Sequence, residues 1–141
     1  MTEGWIGDDY LILFEASEVT TWSERYALSQ FLPGYQLLGL RGWVDFIVRD
    51  SQGKTFSIPA VPPDLKYLAP YVVPERAENL IPDVRFRGKI KWYVKPVVFG
   101  GDPKIGENLT WVSLEEHAQL VRWWNDLYRS VQSKSFPLPE P

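Results

Sequence analysis

Cysteine is absent from the 141 residues, and histidine and methionine occur once each. The first absence removes disulfides, thiolate metal sites and cysteine nucleophiles together. With one histidine, a transition-metal site would have to be built mostly from carboxylates. No apolar run approaches the roughly 20 residues of a membrane-spanning helix. The opening Met1-Thr2-Glu3-Gly4-Trp5 has neither the basic start nor the apolar stretch of a secretion signal. Lys and Arg number 15 against 18 Asp and Glu, for a net charge of −3; a general nucleic-acid binder is expected to be basic, so that class is disfavoured. Neither a Gly-x-Ser-x-Gly elbow nor a dinucleotide fingerprint occurs. The expectation is a cytoplasmic protein with no metal, no cofactor and no membrane association.

Hydrophobic residues make up 45% and charged residues 23% of the chain, a balance that folds rather than stays disordered. The length fits one domain, large enough to bury about 68–70% of the surface its unfolded chain exposes. Seven Trp and 12 Pro stand out. The prolines imply loops and strand edges. Indoles bury a large apolar area and keep one N–H available, so they suit cores and interfaces equally; most are expected in the core.

Tyr10 to Phe14 is a continuous apolar run bounded by acids, too short for an ordinary helix, and reads as a buried strand. Val19, Trp22 and Tyr26 fall at helical spacing, predicting a helix from Ala16 to Leu32, capped by Ser17 and stopped by Pro33-Gly34. Tyr35–Leu40, Gly42–Arg49 and Lys54–Ile58 read as strands separated by turn residues. Alternation along Gly42–Arg49 sends Trp43, Asp45, Ile47 and Arg49 to one face, and Val44, Phe46 and Val48 to a wholly apolar face that needs a cover. Prolines prevent long elements in 59–84, leaving short helical turns near Asp64–Leu68 and Glu75–Leu80. Arg85, Arg87, Lys89 and Lys91 then alternate with apolar residues, predicting an extended basic stripe that continues to Lys95. Val97–Phe99 reads as extended and Leu109–Val112 as a short strand. Ser113-Leu114-Glu115-Glu116 is a capping box opening a helix to about Val131, with Leu114, His117, Leu120, Val121, Trp124 and Tyr128 on its apolar face. Residues 133–141 read as a flexible, proline-rich tail, leaving a single domain over 1–132.

The chemistry-bearing residues mostly have bland explanations. A lone histidine on a helix is more often packed than catalytic. Phe99-Gly100-Gly101-Asp102-Pro103 lacks the Lys-Ser/Thr ending of a phosphate loop and is explained by turn chemistry. Asp8-Asp9 lies in a turn, and Glu115-Glu116 complements a helix N-terminus, so neither pair demands acid–base catalysis. Charge is nevertheless segregated. Glu3, Asp8, Asp9, Glu15, Glu18 and Glu24 precede the first basic residue, Arg25. Such a segment either is a solvated face or steers a basic partner.

The stretch from Gly4 to Pro59, about two-fifths of the chain, resembles the SUKH superfamily of fungal glucan-synthesis regulators and bacterial toxin-immunity proteins. The resemblance rests on Ile6-Gly7-Asp8-Asp9-Tyr10-Leu11 leading into the apolar strand, Val19, Trp22 and Tyr26, then Phe31-Leu32-Pro33-Gly34-Tyr35, Leu38-Gly39, a strand ending at Asp50, and Ile58-Pro59. The family's leading helix is not found before Gly4, and its acidic turn is replaced by Leu40-Arg41-Gly42-Trp43. The C-terminal helix is therefore expected to cover the face left bare. The resemblance implies an α+β domain with a twisted, mainly antiparallel sheet packed by helices. It also implies a non-enzymatic role in protein binding, most typically neutralising a cognate toxin such as a nuclease. The partner would be a basic toxin domain, met by Asp8, Asp9, Glu15, Glu18 and Glu24, with Trp22 or Trp43 as aromatic anchors. A carbohydrate- or wall-associated module, a small carboxylate enzyme and a phage or structural interaction protein are the alternatives.

Overall fold

The computed structural model describes residues 1–74, 79–94 and 108–135, the last four as backbone only. Six strands follow one another in space as they do in the chain: Thr2–Ile6 (β1), Asp9–Leu13 (β2), Gln36–Arg41 (β3), Asp45–Arg49 (β4), Thr55–Pro59 (β5) and the two-residue Ala69–Pro70 (β6). Every neighbouring pair is antiparallel. Ile90–Tyr93 (β7) and Leu109–Val112 (β8) form a second, two-stranded sheet. The helices are Ala16–Arg25 (α1) and Leu114–Ser135 (α2), with short 3-10 turns at Leu28–Gln30 and Leu65–Tyr67. The expected α+β domain, with its antiparallel sheet and long C-terminal helix, is the architecture observed.

Alternation places Tyr10, Ile12, Leu37, Leu40, Phe46, Val48 and Ile58 on one face of the large sheet, where they join Val19, Tyr26 and Leu28 from the α1 region. Ala118 and Val121 bring α2 into the same cluster. The C-terminal helix thus shares the core on this face with α1, while Val44, at the edge of the face expected to be covered, stays exposed. Tethers fix its docking: Asn125 Nδ2 donates to the Ala60 carbonyl at 2.9 Å, and Arg25 pairs with Glu115 at the α2 N-terminus. The α2 capping box forms as read, Ser113 Oγ accepting from Glu116 N–H and Glu116 accepting from Ser113 N–H.

Several expectations are corrected. β1 was not foreseen; alternation around Gly4 is weak, and the strand exists because it pairs with the apolar β2. The first helix ends at Arg25 rather than Leu32, because Ala27 takes a left-handed conformation (φ 53°) before the 3-10 turn. Ser17 lies inside the first turn; the N-cap is Glu15, whose N–H is satisfied by the Glu18 carboxylate at 2.9 Å. Gly42 and Trp43 do not start a strand. Both have positive φ, 58° and 64°, and they turn the chain between β3 and β4. That turn carries Trp43 into the main core, away from the face of Asp45, Ile47 and Arg49. Ile47 is also fully buried, packed with Leu11 and Leu80, so both faces of the sheet are covered, whereas Val44 is exposed. The basic stripe from Arg85 does not extend as one strand. Asp83 accepts from the Arg85 backbone N–H and guanidinium, the chain turns through Gly88 (φ 72°), and regular pairing begins only at Ile90. The backbone of α2 continues to Ser135, past the expected tail boundary. Lys95, Val97–Phe99, the Gly100-Gly101 turn and most of the Glu75–Leu80 turn lie outside the described residues.

Gly39 sits where β3 passes β2 with no room for a side chain. A Cβ there would sit 2.0 Å from the Ile12 carbonyl oxygen, and the β3–β4 register shifts between Leu37 and Gly39.

Candidate functional site

A pocket of about 260 Å³ opens between the large sheet and β7. It is lined by Trp43 and Asp45 from the β3–β4 turn and β4, by Pro59 at the end of β5 with Ala60 and Val61 after it, by Lys91, Trp92 and Tyr93 of β7, and by His117 of α2. Two sheets and a helix meet there, so its walls are rigid elements. Trp43 is only 8% exposed and stacks on Tyr10 with ring centroids 4.8 Å apart. Its indole N–H is buried without a hydrogen-bond partner. Lys91 Nζ lies 5.6 Å from the Trp43 ring centroid and 5.9 Å from that of Tyr93.

His117 forms the pocket's inner wall but is almost wholly buried. Its Nδ1 is 2.6 Å from the Tyr26 hydroxyl. The phenol is the better donor and the imidazole nitrogen the better acceptor, so Tyr26 donates to Nδ1 and the ring proton sits on Nε2. Burial pushes the imidazole down to about 3 and the Tyr26 phenol well up, so both are neutral near pH 7. This pair joins α1 to α2.

Arg41 organises a second polar group on the opposite face of the sheet. Its Nε donates to Asp9 at 3.2 Å, Nη1 reaches Ser57 Oγ at 3.4 Å, and Cζ lies 4.5 Å above the Tyr71 ring. Asp45 pairs with Arg41 across the β3–β4 ladder. Burial raises the Asp45 carboxyl, against the Arg41 charge that lowers it, and Asp9 adds to the rise. One guanidinium thus pairs with Asp9 and acts through its charge on Asp45. Among the described residues, no cluster of three or more metal-ligating side chains is found.

The acidic residues singled out in the sequence do not assemble into one patch. Asp8 is exposed in the β1–β2 turn, and Asp9 beside it is taken up by Arg41. Glu15 and Glu18 lie past the far end of β2, at the start of α1, roughly 17–20 Å away at strand rise. The Glu15 N–H bond holds the Glu18 carboxyl below its usual value, and both carboxylates also contact the Met1 amine. Glu24 is exposed near the C-terminal end of α1. Trp22 is half-buried, stacked on Phe14 at 5.8 Å with Arg25 over its ring, whereas Trp43 is the more deeply buried of the two proposed anchors. Trp92 is 7% exposed, whereas Trp111 and Trp123 are 39% and 60% exposed.

Sequence reasoning missed a ring cluster joining Trp5, Tyr10, Trp43, Phe86 and Trp111, with centroid separations of 4.8–6.0 Å. Polar tips anchor it. Trp5 Nε1 donates to Asp83 at 3.0 Å, and the Tyr10 hydroxyl donates to Glu3 at 2.6 Å. The Arg85 bonds, then that of Trp5, hold the Asp83 carboxyl well below the usual range. The high tryptophan count was the available signal, but the residues come from four separate segments.

No protein-family model, curated protein or solved structure matches the chain. No helix among the described residues is long and apolar enough to cross a membrane.

Proposed function

We propose that this chain is a non-catalytic protein-binding domain of SUKH-like type, acting inside the producing cell to neutralise a basic toxin domain such as a nuclease. The observation that carries this reading is the strip along the outer edge of β1. Ile81 pairs with Trp5 through two backbone hydrogen bonds of 2.8 Å, and its side chain is 67% exposed. Val84, 80% exposed, follows in the next turn, and Asp8 stands in solvent three residues beyond Trp5. The antiparallel Trp5–Ile81 pairing sets Val84 towards the start of β1 and Asp8 past its end, so one edge carries an apolar patch and an exposed acid, which suits a partner with an apolar contact and basic surroundings. Several side chains that could do acid–base chemistry are instead engaged in holding the fold: His117 on Tyr26, Asp9 on Arg41, and Glu18 and Glu116 on helix-start amides. The carbohydrate alternative draws less support, because the exposed indoles Trp111 and Trp123 lie on separate elements, β8 and α2.

The test is affinity capture from the source organism with tagged protein at low and moderate salt, followed by direct titration of the captured partner. One dominant basic partner, bound less tightly as salt rises, is expected, and I81D/V84D and Asp8→Lys should each weaken it. A partner that binds these variants as tightly as the parent, or the absence of any saturable partner, overturns the reading. Where the partner is a nuclease, the parent chain should inhibit it and I81D/V84D should not.

A further inference from the structure

We propose that the chain forms a symmetric dimer by pairing the free edge of β8 with the same edge of a second copy. This stands apart from the toxin-binding reading, which uses the β1 edge. The strand edges of the two sheets are not treated alike. On β1, the outward N–H and C=O of Trp5 are both taken by Ile81, and Pro82 follows. β6 is two residues long and includes Pro70, which has no N–H to offer. β7 lines the pocket and carries Lys91. Cover, brevity, proline and charge are the usual protections of an edge strand against pairing with another chain. β8, Leu109-Thr110-Trp111-Val112, carries neither charge nor proline.

The ladder decides which groups of β8 are free. Val94 N–H donates to the Asn108 carbonyl at 2.8 Å, so the bonded pairs are Val94–Asn108, Trp92–Thr110 and Ile90–Val112. The N–H and C=O of Leu109 and of Trp111 therefore point away from β7, and among the described residues no group bonds to them. One antiparallel register satisfies them all. With a two-fold axis at Thr110, Leu109 of each copy faces Trp111 of the other, and each such pair exchanges both N–H···O=C bonds. A register centred on Trp111 would set Leu109 against Ser113, whose N–H already donates to Glu116. Centred on Leu109, it would carry Trp111 past the start of β8. The side chains fit the same register. Thr110 meets its own copy in the non-hydrogen-bonded position, where opposing side chains come closest and threonine pairs are favourable. On the other face the order across four strands is Lys91, Trp111, then Leu109 and Tyr93 of the second copy. The partly exposed Trp111 indole gains an aliphatic neighbour. The two Lys91 residues stay at least three strand spacings apart, about 14 Å, beyond the Debye length of about 8 Å.

The test is sedimentation velocity of the full chain from low micromolar to about 1 mM. The dimer fraction should rise with concentration and should not fall as salt is raised, because no charged side chain lies on β8. Leu109→Pro removes one outward N–H per copy and no bond of the β7–β8 ladder, and should weaken association about thirtyfold. The chain lacks cysteine, so Thr110→Cys supplies one thiol per copy. A non-hydrogen-bonded pair sets the two Cα atoms about 4.5 Å apart, within disulfide reach. Oxidised glutathione, which takes up the two electrons and two protons released, should link this variant into a covalent dimer. Kept reduced, Thr110→Cys should associate like the parent chain. Glu24→Cys, on exposed α1, should stay unlinked under the same oxidation. A chain that remains monomeric throughout the concentration range overturns the proposal and leaves the edge to a strand of another protein. A dimer that Leu109→Pro does not weaken, or that Thr110→Cys does not lock, places the contact elsewhere and overturns it equally.

Discussion

Lowering the pH should strain the junction between the two helices. His117 is buried, neutral and bonded to Tyr26, and its folded-state value is pushed down to about 3. In the unfolded chain the same imidazole titrates near 6.5. Between these values the unfolded chain binds one more proton than the native protein, so stability falls as pH falls, by up to about 1.4 kcal/mol per unit. At pH 4.5 the loss from this one group reaches about 2.7 kcal/mol. Other groups also titrate: Glu18, Glu116 and Asp83 are lowered, and Asp45 is raised. Comparison with His117→Phe removes their common contribution. That variant strands the Tyr26 hydroxyl and should be less stable at pH 7 by about 1–3 kcal/mol. Urea unfolding of both proteins between pH 7 and 4.5 should then show the gap shrinking, and even reversing, by about 2.7 kcal/mol. Parallel pH profiles for the two proteins would refute the reasoning and place the imidazole in contact with water.

Further tests address the frame that holds the sites. Gly39→Ala should destabilise by about 3 kcal/mol or more in urea unfolding, because its Cβ meets a backbone carbonyl that cannot swing away. Ser113→Ala removes the α2 N-cap and should cost about 1 kcal/mol in the same assay. Arg41→Met should raise the Asp45 carboxyl further, seen as a later midpoint in a carboxyl ¹³C titration, since the charge opposing the burial effect is gone. An unchanged Asp45 midpoint would show that Arg41 does not act on it.

Local patterns carried the sequence reading where they were strong. The β2 run, the β5 strand, the short β8 strand and the Ser113 capping box were legible because apolar spacing and cap chemistry act within a few residues. The failures share a cause. β1 depends on a partner strand, Trp43 depends on a left-handed turn, and the Arg85 bend depends on Asp83 competing for the backbone. Each is decided by a contact that periodicity does not encode. The pocket was illegible for the same reason, as its lining comes from four stretches of chain that meet only after both sheets and α2 have docked. Adjacent acids in the sequence likewise gave no sense of distance, since β2 runs between the Asp8–Asp9 turn and Glu15.

The chain-order sheet has a kinetic consequence. Each pairing from β1 to β6 closes a short or moderate loop, which keeps the entropic barrier to assembling the sheet low. The connections to α2 are of another kind: Tyr26–His117 spans 91 residues, Arg25–Glu115 spans 90 and Arg129–Gln30 spans 99. Docking of α2 is therefore the step of highest sequence separation. The same step completes the inner wall of the Trp43 pocket, so that cavity is formed by contacts between the most distant parts of the chain.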